Sequence, residues 1–327
     1  MIRIDAPHES KQSPARLKTR LSASMRNALV CGLCAAAVCV ASTAAQRATF
    51  RARTDLVSVA MTVADRRSNY LTDLTPDDID LYEDGAKQTI EYFARGDAAD
   101  AAPELHIGLL FDTSGSMGAD INLSRSAAVR FLNTLPDAKD ITLVDFDAEV
   151  RVAKYGQQDF PRLVERIRER KPGGFTAMYD ALGVYLDGAS DLQGRKILVI
   201  FTDGGDTTSA IRFNDVMTLI RASDVTVYSV GFLQNQQSGL RAEQRLRLTQ
   251  IAGESGGDAF FPTDMKQIDQ AYEKILSQIR AQYSLGYVST NTRTDGAWRK
   301  VEIKVKRPNA KDLKIQSRKG YFAPFRK

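Results

Sequence analysis

The sequence predicts an α/β protein: a doubly wound, mostly parallel sheet inserted into a small antiparallel β-sandwich that both flanks of the chain build together. Three observations predict it. Between 105 and 281, continuous apolar strands alternate with amphipathic helices, the pattern of a sheet covered on both faces. In the flanks, 46–97 and 282–327, apolar and polar residues alternate with the period of half-buried strands. Each flank is only about 50 residues long, too short to bury a stable core alone, so the simplest solution pairs them.

The elements follow in order. "DLVSVAMTVAD" (55–65) alternates as a strand should, and "DIDLYEDGAKQTIEYFARG" (78–96) supplies two more short strands around the turn "EDG". "DAADAAPE" (97–104), rich in Ala, Asp and Pro, reads as a linker, placed at 98–104. "HIGLLF" is then an unbroken apolar strand ending at Asp112. "SRSAAVRFLNTL" (124–135) has helical spacing, with apolar residues at 128, 129, 131, 132 and 135. "ITLVDF" is a strand, "DFPRLVERIRER" (159–170) and "AMYDALGVYLDGAS" (177–190) are helices, and "KILVIFTD" (196–203) is a buried strand. "NDVMTLIRAS" is a helix, "VTVYSVGF" (225–232) a strand, and "RAEQRLRLTQIAGES" a helix ending near Gly256. "DAFF" is a short strand, and "MKQIDQAYEKILSQIR" (265–280) closes the run as a long helix. From Tyr283 the strand period returns in "YSLGYV", in "WRKVEIKVK" with Val301, Ile303 and Val305 on one face, and in "LKIQSR". The sandwich is expected to have about six strands.

The chain of 327 residues, 43% hydrophobic and 26% charged, has room for about two domains. Its net charge of +5 is concentrated at the start. Residues 1–45 hold six Lys/Arg and two acids, leaving 39 basic and 38 acidic residues beyond them. "MRNALVCGLCAAAVCVASTAAQ" has a basic start at Arg26, an apolar run from Ala28 to Ala41 and small residues after it. That is the layout of a secretory signal peptide, shorter than a bilayer span of about 20 residues. Its removal predicts a secreted or periplasmic protein with no membrane span and little reason to bind nucleic acid. The long polar stretch before it makes Met25 a second candidate start. All three cysteines, Cys31, Cys34 and Cys39, lie in this run. The processed chain would keep His106 and no cysteine, which excludes disulfides, cysteine metal sites and thiol nucleophiles, and argues against His-based triads and zinc clusters.

Ligands of doubly wound sheets sit beyond the carboxyl ends of the strands. Three stretches should meet there. "DTSGSM" offers Asp112, Ser114 and Ser116 at alternating positions, "KPGGFTAMYD" delivers Thr176 at a helix start after a glycine pair, and "FTDGGD" places Asp203 at a strand end. Carboxylates and hydroxyls are hard donors, suited to Mg²⁺, or Ca²⁺ or Mn²⁺, rather than to zinc or copper. Two formal charges leave such an ion electrophilic with a position open. The carboxylate of an Asp or Glu presented by a protein partner would complete it.

Asp-x-Ser-x-Ser, then Thr176 after Gly173-Gly174, then Thr202-Asp203-Gly204, resembles the metal-ion-dependent adhesion site of von Willebrand factor A domains over roughly 105–280. The resemblance implies direct metal contact from Ser114, Ser116 and Thr176, with Asp112 and Asp203 acting directly or through water. It also implies a non-enzymatic module for adhesion or assembly. Asp180, inside the helix, recurs in the family's pattern and reads as a supporting or helix-anchoring residue. The flanks, "VTVADRRSNYLTDLTPDDIDLYEDGAKQTIEYF" and "YSLGYVSTNTRTDGAWRKVEIKVKRP…SRKGYFAP", are similar to a bacterial family of secreted VWFA-related domain proteins, defined by sequence rather than by ligand.

Other readings compete. "FDTSGS" is similar to the "FDTGSS" turn of pepsin-like aspartic proteases, but Ser114 stands where glycine is required and "FTDGGD" is no second copy. A strand-to-helix turn with capping hydroxyls would explain Ser114 and Ser116 without an ion, as an N-cap would explain Thr176. A metal-assisted hydrolase lacks a second metal cluster and a nearby cationic clamp. A metal-independent scaffold is the remaining alternative. Asp145, Asp147 and Asp206 read as solvated turn carboxylates, and His106 as structural. The stretch 293–327, with twelve Lys/Arg against three acids, reads as a solvated outer face of the sandwich.

Overall fold

A computed structural model describes residues 56–96, 102–135, 138–308 and 310–325. The expected signal peptide, residues 1–45, and most of the linker lie outside the described residues. Among the described residues no helix is long and apolar enough to cross a membrane.

The central sheet has six strands: β5 (Leu105–Asp112), β6 (Asp140–Phe146), β7 (Val150–Tyr155), β8 (Arg195–Thr202), β9 (Thr226–Gly231) and β10 (Ala259–Phe260), in the order β10-β9-β8-β5-β6-β7. All neighbours run parallel except β6 and β7, which form an antiparallel pair. β7 is absent from the sequence expectation, because "VRVAKY" is short and interrupted by charge. Helices α1 (Ile121–Thr134), α2 (Phe160–Glu169) and α6 (Met265–Ala281) cover one face. Helices α3 (Met178–Ala189), α4 (Phe213–Ala222) and α5 (Ser238–Ser255) cover the other. Successive side chains of a strand point to opposite faces. Ile107, Leu109 and Phe111 accordingly join the first core and Leu110 the second. Gly108 faces the second layer, where a Cβ would lie 2.3 Å from the Tyr185 ring. α5 ends at Gly256 in the left-handed region, φ +89°, the common C-terminal signal.

The flanks form two four-stranded antiparallel sheets, eight strands where about six are expected. One sheet is β13 (Lys314–Ser317), β1 (Leu56–Ala64), β11 (Tyr283–Val288) and β4 (Tyr92–Arg95); the other is β14 (Gly320–Phe322), β12 (Trp298–Val305), β2 (Ile79–Glu83) and β3 (Ala86–Gln88). Val59, Met61 and Val63 of β1 share a core with Tyr283, Leu285 and Tyr287 of β11 and with Val301, Ile303 and Val305 of β12. Each sheet therefore takes strands from both flanks, as the shortness of each flank requires. The "EDG" turn is a two-residue hairpin loop with Asp84 at φ +48° and Gly85 at φ +84°, the pairing that suits strand twist. Arg195, at the start of β8, donates to Gln282 Oε1 at 3.2 Å and to Gly96 O at 3.1 Å. It thereby clamps both places where the chain passes between sandwich and central sheet.

The basic C-terminal stretch is only partly a solvated face. Lys300, Lys304 and Lys306 are exposed on β12 and its end. Arg299 is buried on Asp295, and Arg307 is held by Asp73 and Asp78. His106 is buried between Asp140 Oδ1 (3.0 Å) and Gln193 O (2.9 Å), a structural position.

Candidate metal centre

The chain leaves β5 toward β6 on one side and returns to β8 on the other, so the topological switch point lies between the carboxyl ends of β5 and β8. Asp112 is the last residue of β5 and Thr202 the last of β8. Both are fully buried, and Asp203 is 1% exposed. Asp112 Oδ1 accepts from Ser114 N at 2.9 Å, and Asp112 Oδ2 accepts from Thr202 Oγ1 at 2.6 Å. Thr202 Oγ1 in turn accepts from Gly204 N at 2.9 Å. Asp203 Oδ1 accepts from Gly205 N at 3.2 Å and Oδ2 from Gln236 Nε2 at 2.9 Å. Burial, and then the charge of Asp203, push the Asp112 carboxyl up to about 7.

Ser114 and Ser116 flank Gly115 with their hydroxyl oxygens 3.1 Å apart; Ser114 is buried and Ser116 exposed. Backbone pairing brings the glycine loop against this turn. Gly173 N donates to Thr113 O at 2.9 Å and Gly115 N to Gly174 O at 3.1 Å. A Cβ at Gly115 would approach Gly174 O to 3.2 Å, and Gly174 needs φ +73°, so both positions favour glycine. Thr113 ties the turn to the next strand, its N and Oγ1 both donating to Phe146 O.

Thr176 is 3% exposed at the end of the glycine loop. Its N donates to Thr207 Oγ1 at 2.9 Å, and its carbonyl accepts from Thr207 N at 2.8 Å. The β8–α4 loop is thereby clasped to the residue expected to face the ion. Asp206, read from sequence as solvated, instead caps α3 from a distant loop: its Oδ2 accepts from Tyr179 N at 2.9 Å and Ser209 Oγ at 2.6 Å. Asp180 takes the N–H groups of Ala210 and Ile211. It faces the loop after β8 and pins it to α3.

Asp145 corrects the sequence expectation outright. Its side chain is 1% exposed, accepts from Arg151 Nε and Arg166 Nε, each at 2.8 Å, and forms an ion pair with Arg170 Nε at 2.9 Å. Asp147 shares Arg151, accepting from its Nη2 at 2.8 Å. These carboxylates are neutralised by guanidiniums and are not part of the strand-end group.

Asp112, Asp203, Ser114, Ser116 and Thr176 thus belong to three loops joined by direct hydrogen bonds at one rim. Asp180 stands outside it. Among the described residues no group of three or more His, Cys, Asp or Glu side chains is placed to hold a metal ion. The donor set is hydroxyl-rich with two carboxylates, which fits a hard divalent ion keeping some of its water and does not fit a thiolate or imidazole site. Sequence reasoning named Thr202 only within the Thr202-Asp203-Gly204 match, with no role of its own, and missed Thr207 and Gln236. Thr202 had a signal, a hydroxyl one residue before an expected ligand; the other two had none.

No curated protein matches the chain. Several solved structures are similar to it at low identity. A von Willebrand factor type A protein from Catenulispora acidiphila is 12% identical with a TM-score of 0.47, over 84% of this chain and 75% of that one. The vWF domain of the type V pili tip protein Mfa5 from Porphyromonas gingivalis is 12% identical with a TM-score of 0.43, over 53% and 95%. Proximal thread matrix protein 1 from the mussel byssus, with a zinc-occupied MIDAS motif, is 18% identical with a TM-score of 0.42, over 59% and 48%. The family model of the von Willebrand factor type A domain matches residues 106–274, more than half of the chain, and the chain belongs to that family.

Proposed function

We propose that the protein is a non-enzymatic, divalent-cation-dependent binding module of the cell envelope or exterior. Its cation site is Asp112, Ser114, Ser116, Thr176 and Asp203, and its ligand is a protein partner that presents an Asp or Glu carboxylate. The observation that carries the reading is the pair of buried carboxylates, Asp112 and Asp203, at the switch point beside two hydroxyls 3.1 Å apart. A hard ion such as Mg²⁺ would supply the charge that offsets these carboxylates and the electrophilic centre that a partner's carboxylate needs. Export rests on the signal-peptide layout of residues 1–45. The test is calorimetric titration of Mg²⁺ into the wild type and Asp112→Ala, followed by comparison of proteins retained from envelope extract in Mg²⁺ and in EDTA. Retention indifferent to both chelation and Asp112→Ala would sink the reading.

A second reading has its own support. The three loops are closed by hydrogen bonds between protein groups, Asp112 to Thr202 and Thr176 to Thr207 among them. A scaffold that needs no ion could be built this way. Titration showing no cation binding, together with chelation-independent retention of the same partner, would select it.

A further inference from the structure

A fourth loop reaches the strand-end site, and no sequence motif announces it. Between β9 and α5 the chain reads "FLQNQQ" (232–237). Phe232 and Leu233 are buried, and Phe232 N donates to Thr202 O at 2.9 Å, which seats the loop beside the end of β8. Two amide side chains then hold the acidic groups. Asn235 Nδ2 donates to Asp120 Oδ1 at 3.0 Å, at the end of the turn that follows Ser116. Gln236 Nε2 donates to Asp203 Oδ2 at 2.9 Å. Arg241 Nη2 fixes the loop against the first turn of α5 by donating to Gln234 O and Gln236 O, each at 2.8 Å.

We propose that Gln236 is a positioning residue for the cation site. Its amide fixes the rotation of the Asp203 carboxylate, so that the β9–α5 loop is a fourth wall of the site and sets its affinity for a divalent ion. The inference rests on the cation reading above. Two physical points carry it. Asp203 is 1% exposed, and its oxygens take one donor each, Gly205 N on Oδ1 and Gln236 on Oδ2. Each carboxylate oxygen accepts at two positions, so these bonds orient the group and leave acceptor capacity on both oxygens. The chemistry of the donor matters as well. A Lys or Arg in place of Gln236 would neutralise Asp203 and repel a cation, whereas a neutral amide orients the carboxylate and leaves the site's two negative charges in place. The loop carries four amide residues, Gln234 to Gln237, and no charge.

The test is Mn²⁺ titration of the full chain, by calorimetry, for the wild type, Gln236→Met, Gln236→Lys and Asn235→Ala, with melting temperatures taken in EDTA. Gln236→Met keeps the side chain's length and removes its donor. It is expected to weaken Mn²⁺ binding about 10- to 100-fold, the usual effect of losing a group that orients a ligand, with the EDTA melting temperature unchanged. Gln236→Lys is expected to abolish binding. Asn235→Ala cuts the loop's other tether and reports the effect of loosening alone. Mn²⁺ affinity in Gln236→Met within twofold of the wild type, or an equal loss in Asn235→Ala, overturns the assignment to Gln236. Wild-type protein that binds no Mn²⁺ overturns this inference and the cation reading together, so the two failures are told apart by the wild type.

Discussion

Thr202 Oγ1 donates a 2.6 Å hydrogen bond to Asp112 Oδ2, linking the final residues of two neighbouring parallel strands at the point where the chain reverses its winding. Thr202 is fully buried and also accepts from Gly204 N at 2.9 Å. One hydroxyl therefore fixes both the Asp112 carboxylate and the start of the loop that carries Asp203. Thr202→Val removes the hydroxyl at constant shape and strands two buried partners. It is expected to cost about 1–3 kcal/mol in urea denaturation, while Thr202→Ser keeps most of the stability. A Val variant as stable as the wild type would contradict this account.

Asp145 is the most heavily paired carboxylate near the site, with Arg151, Arg166 and Arg170 all on it and 1% of its side chain exposed. Removing one partner of a buried charge group leaves the others uncompensated. Asp145→Asn is expected to lower unfolding stability by about 3–5 kcal/mol. A loss below 1 kcal/mol would show that the arginines find water or Asp147 at little cost.

Asp180 and Asp206 hold the loop between β8 and α4 from opposite directions. Asp180→Ala leaves Ala210 N and Ile211 N without their acceptor, so both amides should exchange with solvent at least tenfold faster by mass spectrometry or NMR. Asp206→Ala removes the carboxylate that accepts from Tyr179 N at the start of α3, and is expected to cost about 1 kcal/mol, the usual worth of a cap. Unchanged exchange at 210 and 211 would mean that the clasp between Thr176 and Thr207 suffices.

Asp78 supplies the expected pH dependence. The Arg307 guanidinium, then the N–H and hydroxyl of Thr75, hold its carboxyl well below the ordinary value of 3.8. A carboxylate with a depressed folded-state pKa adds stability that is present above the unfolded value and lost as pH falls below it. The wild type should therefore lose melting temperature more steeply below about pH 4 than Asp78→Asn does, and the two should run parallel above about pH 5. Parallel curves throughout would remove Asp78 and Arg307 from the acid response.

The elements were legible where periodicity is strong. The two buried strands ending at Asp112 and Thr202, the six helices over the sheet and the strand pair around Asp84-Gly85 fall where apolar spacing and turn residues put them. β4, β7 and β14 were not: all three lie at a sheet edge, β4 and β14 are only four and three residues long, and Arg151 and Lys154 interrupt the apolar pattern of β7. Asp145 was misread for a different reason. Its three arginines come from β7, α2 and the segment just beyond α2, and nothing local marks a carboxylate that will be buried by distant guanidiniums.

By itself, the sequence determined the architecture and the insertion between two β-rich flanks, and it pointed to five oxygen-bearing side chains at the strand ends, since apolar period and residue type are local properties. Only the tertiary structure decided which groups orient those donors. Thr202 on Asp112, Thr207 on Thr176, Asp206 at the start of α3 and Gln236 on Asp203 all join residues at least 27 positions apart. Such contacts depend on where the sheet's winding brings loop ends together, and a hydroxyl or amide that will meet a carboxylate there looks, along the chain, like any other polar residue.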